Sequence, residues 1–360
     1  VRMRIDGVLA DDQVLPHELN LPLFNRIKVL GGMDISEKRA SQDGSFTFDP
    51  GGVLPSAEVR VATIPARFGE RVTLRLLPQK AGLSLERLGF SAANLEQFSK
   101  AITLSHGMIL LTGPTGSGKS TTLYAGIRRL LKIKPVNIMT VEDPIEYEID
   151  GVTQTEVDAK REKVSFASSL RSILRHDPDV IMLGEIRDAE TAELAVRAAL
   201  TGHLVLSTLH TNTAVAAVTR LADLGIDRFL IASVLRLVAA QRLVRQLCPH
   251  CKREDTLTEA EALSLRDPAL VGRRCWRPVG CLHCAGRSYG GRSGLFEFLP
   301  IGPEEASIIA NITDNESVES RLAAQRDALG GASLQRSGID EILSGTTTVE
   351  EVLYATSEII

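Results

Sequence analysis

"LLTGPTGSGKSTTL", residues 110–123, decides the fold. An apolar run stops at Gly113, a glycine-rich turn follows, and Lys119-Ser120 open a helix. Gly113-Pro114-Thr115-Gly116-Ser117-Gly118-Lys119-Ser120 fits GxxxxGK[ST] in the strand–turn–helix setting that this motif requires. Glycines let successive backbone N–H groups turn inward around phosphate oxygens, and the helix N-terminus adds partial positive charge. Lys119 can reach the β and γ phosphates, Ser120 can hold Mg²⁺, and Thr121 completes the contact surface of residues 113–121. A chance glycine turn is the alternative, and the flanking elements argue against it. The expected ligand is ATP with Mg²⁺.

Outward from the turn, apolar strands alternate with helical stretches from about residue 99 to 245: "GMILLTG", "NIMTVED", "DVIMLGE" and "HLVLSTLH". That rhythm implies an α/β domain, a parallel sheet covered by helices. Ligands of such sheets bind outside the carboxyl ends of the strands, and acids stand there. "TVEDPIE" carries Glu142, Asp143 and Glu146; "DVIMLGE" ends in Glu185. Glu185 is expected to be the base that activates water, and Glu142 to support the metal side, since Gly184 stands where a second acid is often found. Helix capping is the alternative for these acids, most of all for Asp143 and Glu146. "TGHLVLSTLHTN" starts a strand with His203 and ends it with His210. His210, at the carboxyl end, is the expected γ-phosphate sensor; His203 reads as evenly structural or functional.

Cys248-Pro-His-Cys251 and Cys281-Leu-His-Cys284 give C-x₂-C-x₂₉-C-x₂-C. Two thiolate knuckles close a tetrahedral Zn²⁺ site with no open position, hence a structural one. The long spacing implies a small insert between the knuckles. A redox pair is the rival, with no thioredoxin-like surroundings to favour it. Cys275 is the odd thiol, and His250 and His283 are expected to be spectators.

The chain has 41 basic and 45 acidic residues, so its net charge is −4, and only 4% of it is aromatic. Neither number suits a protein that grips nucleic acid by charge and stacking, so no such partner is expected. No stretch is apolar for the roughly 18 residues of a membrane span. "VRMRIDGVLADDQ" lacks the basic leader and apolar core of a signal peptide. Opening on Val1 in mid-pattern, the sequence reads as a piece with residues missing upstream.

In order, the glycine turn, "TVEDPIE", "LRHDPDVIMLGEIRD" and "TGHLVLSTLHTN" resemble the Walker A, Asp box, Walker B and His box of the secretion ATPases of type II secretion and type IV pilus systems. "RIDGVL", "SEKRASQDG" and "RFGERVTLRLL" resemble the PAS-like domain that precedes the core in that family, and the cysteine pairs resemble the zinc module of its assembly and secretion branches. The resemblance covers nearly all of the chain. It implies a PAS-like α+β domain over residues 1–80, a linker over 81–98, a RecA-like ATPase core over 99–245, a zinc module over 246–292 and a helical region over 293–360. It further implies a cytoplasmic homo-hexamer that hydrolyses ATP to drive pseudopilus assembly, working through cytoplasmic docking proteins and an inner-membrane platform. ATP would lie between the PAS-like domain and the core.

Alternation places Arg71, Thr73 and Arg75 on one face of a strand, with Arg60 on the adjoining one. By similarity to the family, Arg60 and Arg75 are expected to reach the phosphates, where a guanidinium stabilises transition-state charge; a solvated strand face is the alternative. Arg171 and Arg175 either line the nucleotide site or pair with Asp177 and Asp179; Arg187 also flanks the Walker B strand, and Arg220 is the weakest candidate. Pilus assembly is the alternative within the motor class. A nucleic-acid-dependent ATPase and a non-hydrolysing scaffold are the alternatives outside it.

Overall fold

The computed structural model describes residues 1–52, 56–78, 84–157, 165–312 and 314–357. The chain divides into two compact units: Val1–Gly82 with Glu146–Glu148, and Leu83–Ile145 with Ile149–Ile360.

In the first unit, β1 (Arg2–Ile5) and β2 (Val8–Asp11) form a hairpin. Its turn, Asp6-Gly7, has φ of 50° and 89°, the left-handed pair that Asp-Gly supplies for a tight hairpin. Then come α1 (His17–Leu30), β3 (Gln42–Phe48), β4 (Ala57–Ala66) and β5 (Gly69–Pro78), the three strands antiparallel in the order β3-β4-β5. The helix stops at Gly31-Gly32. Ile27 and Met33 pack on Val59 and Val61, with Phe46 and Val72 beside them. Lys28 is wholly buried, with Nζ 2.5 Å from the Glu70 carboxylate and donating to the Glu37 carbonyl at 2.7 Å. The alternation in β5 holds: Leu74 lies opposite Val61 and Arg75 opposite Arg60, so both arginines share the face away from Val59 and Val61. The unit is α+β; its PAS-like character rests on the sequence resemblance.

The second unit begins with a 3₁₀ turn at Leu85–Arg87 and α2 (Ala92–Ala101). The linker expected over residues 81–98 is therefore corrected for its later part. Leu85 and Phe98 are buried, and Phe90 packs against Phe98, Phe296 and Phe298, which makes this segment core. Residues 79–83 lie outside the described residues. There follow β6 (Gly107–Thr112), α3 (Lys119–Ile133), β7 (Ile138–Glu142), β8 (Val152–Glu156), α4 (Phe166–Ile173), β9 (Val180–Leu183), α5 (Ala189–Leu200), β10 (Leu204–Leu209), α6 (Ala214–Asp223), α7 (Arg228–Val234) and β11 (Leu235–Leu247). Then come β12 (Arg253–Thr256), α8 (Glu259–Ser264), β13 (Arg274–Arg277), β14 (Tyr289–Pro300), α9 (Pro303–Asn311), α10 (Asn315–Ala328), α11 (Leu334–Leu343) and α12 (Val349–Thr356).

The main sheet runs β14-β11-β6-β10-β9-β7-β8. All neighbours are parallel except β14, which is antiparallel to β11. The four strands expected from the sequence are its centre, β6-β10-β9-β7. Each is buried on both faces, which is why each reads as an unbroken apolar run. Met108, Leu110, Ile181, Leu183 and Val205 face a core shared with Ala192, Ala195, Val218 and Ile231 of α5, α6 and α7. The same core extends to Val318, Leu322, Ile339 and Val352 of the C-terminal helices. The helical region expected over 293–360 is corrected at its start, where β14 runs to Pro300.

Candidate active site

The glycine turn leaves the carboxyl end of β6 and enters α3. Gly113, Gly116 and Gly118 have φ of 147°, 83° and 90°. A Cβ at Gly113 would lie 2.5 Å from the Gln241 carbonyl, and one at Gly118 2.7 Å from Gln241 Nε2. The turn is thus bare both for its curvature and because β11 presses against it. Ser117 Oγ is buried and has no hydrogen-bond partner among the described residues. Lys119 is buried, and its Nζ donates to the carbonyls of Gly113 at 2.8 Å and Pro114 at 3.1 Å. Burial lowers its pKa to about 8; Glu185 opposes that shift and Arg242 adds to it. An orphan hydroxyl and a buried cation resting on carbonyl oxygens suit an incoming phosphate. Ser120 and Thr121 begin α3, with Ser120 exposed at the mouth of the turn, where its hydroxyl is free to reach a cation.

Glu185 follows β9. The neighbouring backbone is pinned to β10: Ile186 N donates to the Thr208 carbonyl at 3.0 Å, and Thr208 Oγ1 donates to the Gly184 carbonyl at 2.7 Å. Its carboxylate lies 3.2 Å from His210 Nε2 through Oε2 and is paired with Arg187 through Oε1. Arg187 also stands 3.6 Å from Asp143, and its hydrogen bond to Glu185 raises its own pKa. The structure therefore brings Glu185 and His210 together and adds Arg187 and Asp143 to the cluster. His203, at the far end of β10, has Nδ1 2.9 Å from the Ala198 carbonyl and 3.3 Å from Thr201 Oγ1, a structural histidine.

Glu142 is buried at the end of β7. It accepts from Thr140 at 2.5 Å, from Gln154 at 3.0 Å, and from the Tyr124 hydroxyl of α3. Its oxygens are engaged by protein donors, which ties α3 to the sheet. Arg60 Nε is 3.9 Å from Glu58, and Arg75 Nη2 is 3.3 Å from Glu146. Arg171 pairs with Glu190, and Arg175 donates to the Arg171 carbonyl at 3.0 Å. Asp179 instead accepts from the Asn137 amide at 2.7 Å. Arg220 is exposed on α6.

Sequence reading missed Gln241, Arg242 and Asn212. Arg242 is buried and donates through Nη2 to the Asn212 carbonyl and side-chain oxygen at 3.1 and 3.2 Å. The signal available was a polar pair, Gln241-Arg242, inside an apolar stretch.

The cysteines meet as expected. Cys248 and Cys251 follow β11, and Cys281 and Cys284 precede β14, so the two knuckles close the end of one antiparallel pair. All four Sγ atoms lie within 4.8 Å of one another, with separations of 3.9 Å (248–281), 3.9 Å (251–284) and 3.8 Å (281–284). A tetrahedral zinc with Zn–S of about 2.3 Å places its sulfurs about 3.8 Å apart, so the donor set fits that ion. The Cys281 and Ser288 amides both donate to Cys284 Sγ at 3.2 Å, the outer bonds that hold a thiolate ligand. The insert between the knuckles is the β12–β13 hairpin with α8. Cys275 lies buried in it, and burial raises its thiol pKa, which makes it unreactive.

A glycine turn at the carboxyl end of a parallel sheet, with a cation inside it and a carboxylate–histidine pair on the next strands, defines the class: a P-loop nucleoside triphosphatase. The family model described as "Type II/IV secretion system protein" matches residues 1–354. The chain belongs to that family. It is 48% identical over 360 residues to type II secretion system protein E of Aeromonas hydrophila, spanning 99% of this chain and 70% of that protein. It is 46% identical over 364 residues to type II secretion system ATPase E of Vibrio cholerae, again spanning 99% and 70%. The pilus retraction motor PilT with bound ADP superposes with a TM-score of 0.65 at 26% identity, over 98% of this chain and 89% of that one. The Yersinia pseudotuberculosis ATPase DotB shares the fold, with a TM-score of 0.72 at 21% identity, over 99% and 87%.

Proposed function

We propose that this chain is the ATPase of a type II secretion system, hydrolysing ATP to drive pseudopilus assembly and protein export. The observation that carries the chemistry is Glu185, held 3.2 Å from His210 beside the cradle that contains Lys119. Residues 113–121 bind the triphosphate, and Lys119 exchanges the two carbonyls it now touches for β- and γ-phosphate oxygens. Bound Mg²⁺, held at the Ser120 hydroxyl, would offset phosphate charge. His210 contacts the γ-phosphate. Glu185 takes the proton of the water that attacks the γ-phosphorus, and ADP leaves with its bridging oxygen. In the resting site Glu185 is clamped by Arg187, so the arginine has to turn away, toward phosphate, before the carboxylate acts as base. Glu142 serves the site through the helix it holds by Tyr124.

Arg60 and Arg75 supply positive charge to the phosphates, from the same chain or from a neighbouring copy in a hexameric ring. The first eighty residues act as the PAS-like moving part, and the cysteine module carries Zn²⁺ as a permanent brace. Work reaches an inner-membrane platform through docking proteins on the cytoplasmic side. Among the described residues no helix is long and apolar enough to cross a membrane. High identity to the secretion ATPases over almost the whole chain supports this reading.

The test is steady-state ATP hydrolysis by Glu185→Gln. Loss of a general base lowers kcat by about 10²–10⁴, while the ATP Kd should stay within about threefold of the parent. Unchanged turnover would refute the assignment.

A further inference from the structure

We propose that Arg242 is a positioning residue that couples the phosphate turn to the His210 loop by gripping Asn212. The inference rests on the ATPase reading above and goes beyond it.

Besides the contact of His210 with Glu185, residues 211–214 are held from β6, β14 and β11. From β6, Thr112 Oγ1 donates to the Thr211 carbonyl at 2.9 Å and accepts from the Thr211 amide at 2.9 Å. From β14, Glu297 accepts from the Ala214 amide at 3.1 Å, and Arg326 of α10 holds that glutamate at 2.8 Å. From β11, Arg242 makes its two bonds to Asn212. Only the last of these also lies on the phosphate turn beyond the strand that carries it: a Cβ at Gly113 would come within 3.1 Å of Arg242 Nη1. Lys119 donates to the carbonyl of that same Gly113.

The chemistry of the side chain suits such a link. A guanidinium is planar and permanently charged, and presents its donors as a rigid fork. One prong lies beside the turn while the other engages a backbone carbonyl and a side-chain oxygen of one residue. Arg242 is 3% exposed, so water screens its charge little and a nearby phosphate acts on it strongly. When Lys119 leaves Gly113 for phosphate, the turn relaxes against Arg242. Asn212, two residues after His210, moves with the guanidinium, and the imidazole that touches Glu185 is re-aimed. Arg242 would act through Asn212 and His210, without touching the reacting atoms.

A double-mutant cycle tests this on the full chain, reading kcat and ATP Kd separately. Arg242→Lys keeps the charge but loses the fork. Asn212→Ala removes one acceptor at an exposed position, where folding is not at stake. Each single change should lower kcat by at least about tenfold, since sub-ångström misplacement of a reacting group is costly. Each should leave Kd within about threefold. The double variant should fall no further than about twofold below the worse single, because both changes break one contact. Losses that multiply, or Asn212→Ala at parental kcat, would overturn the proposal. Glu185→Gln separates the two levels. If that variant is inactive while the cycle is additive, the ATPase reading stands and the coupling fails; if it turns over normally, the ATPase reading fails first.

Discussion

Lys119 shows how far single residues were legible. Its type and spacing named its ligand, because a lysine after three glycines at a helix start has one familiar use. Its burial and the Glu185 and Arg242 charges around it were not readable, and they set its titration. In the unfolded chain the amine keeps the ordinary lysine value of 10.5; burial lowers it to about 8 in the fold. Between those values the folded chain binds fewer protons than the unfolded one, so this group's contribution to stability rises with pH across that window. Below about 8 both states are charged and the burial cost stands in full. Phosphate favours the cation, so ATP affinity should weaken as pH rises through 8 instead of holding to the ordinary lysine range. Binding titrations on either side of pH 8 check this, and a flat profile would contradict it. Glu185 and His210 were legible for a similar reason: each ends an apolar strand, and strand ends gather at one edge. Arg242 and Asn212 were not. Their meeting depends on β11 lying beside β6, a fact of sheet order that no local pattern carries.

Among the elements, the central strands were plain because burial on both faces makes them uniformly apolar. β11 and β14 were harder. "LRLVAAQRLVRQL" mixes Ala, Leu, Gln and Arg, residues at home in helices, and it becomes a strand because β6 and β14 take its backbone bonds. "PQKAGLSLERLGF" has the composition of a linker, yet its Leu85 is buried and its Phe90 is anchored by packing that arrives from β14. The cysteine spacing predicted its own geometry, since two C-x₂-C knuckles around one ion fix every sulfur separation. Metal analysis should find one zinc per chain, and Cys275→Ala should leave that number unchanged. Removing zinc with a strong chelator should lower the melting temperature and loosen the ends of β11 and β14, since structural zinc contributes about 10–16 kcal/mol in small peptides. A metal-free protein with unaltered melting would count against the site.

For the molecule as a whole, the sheet order explains why the sequence motifs work together. β6, β10 and β9 are consecutive neighbours, so the phosphate turn, His210 and Glu185 emerge side by side although they lie far apart in sequence. Within the first unit Arg60 and Arg75 are cross-strand partners on one sheet face, with Glu58 3.9 Å from the first and Glu146 3.3 Å from the second. The most direct measurement is a crystal structure of the full chain with a non-hydrolysable ATP analogue and Mg²⁺. The triphosphate should lie on residues 113–121, with Lys119 withdrawn from the Gly113 carbonyl and Glu185 facing the γ-phosphorus across a single water. A nucleotide bound elsewhere, or a γ-phosphate turned away from Glu185, would contradict the account.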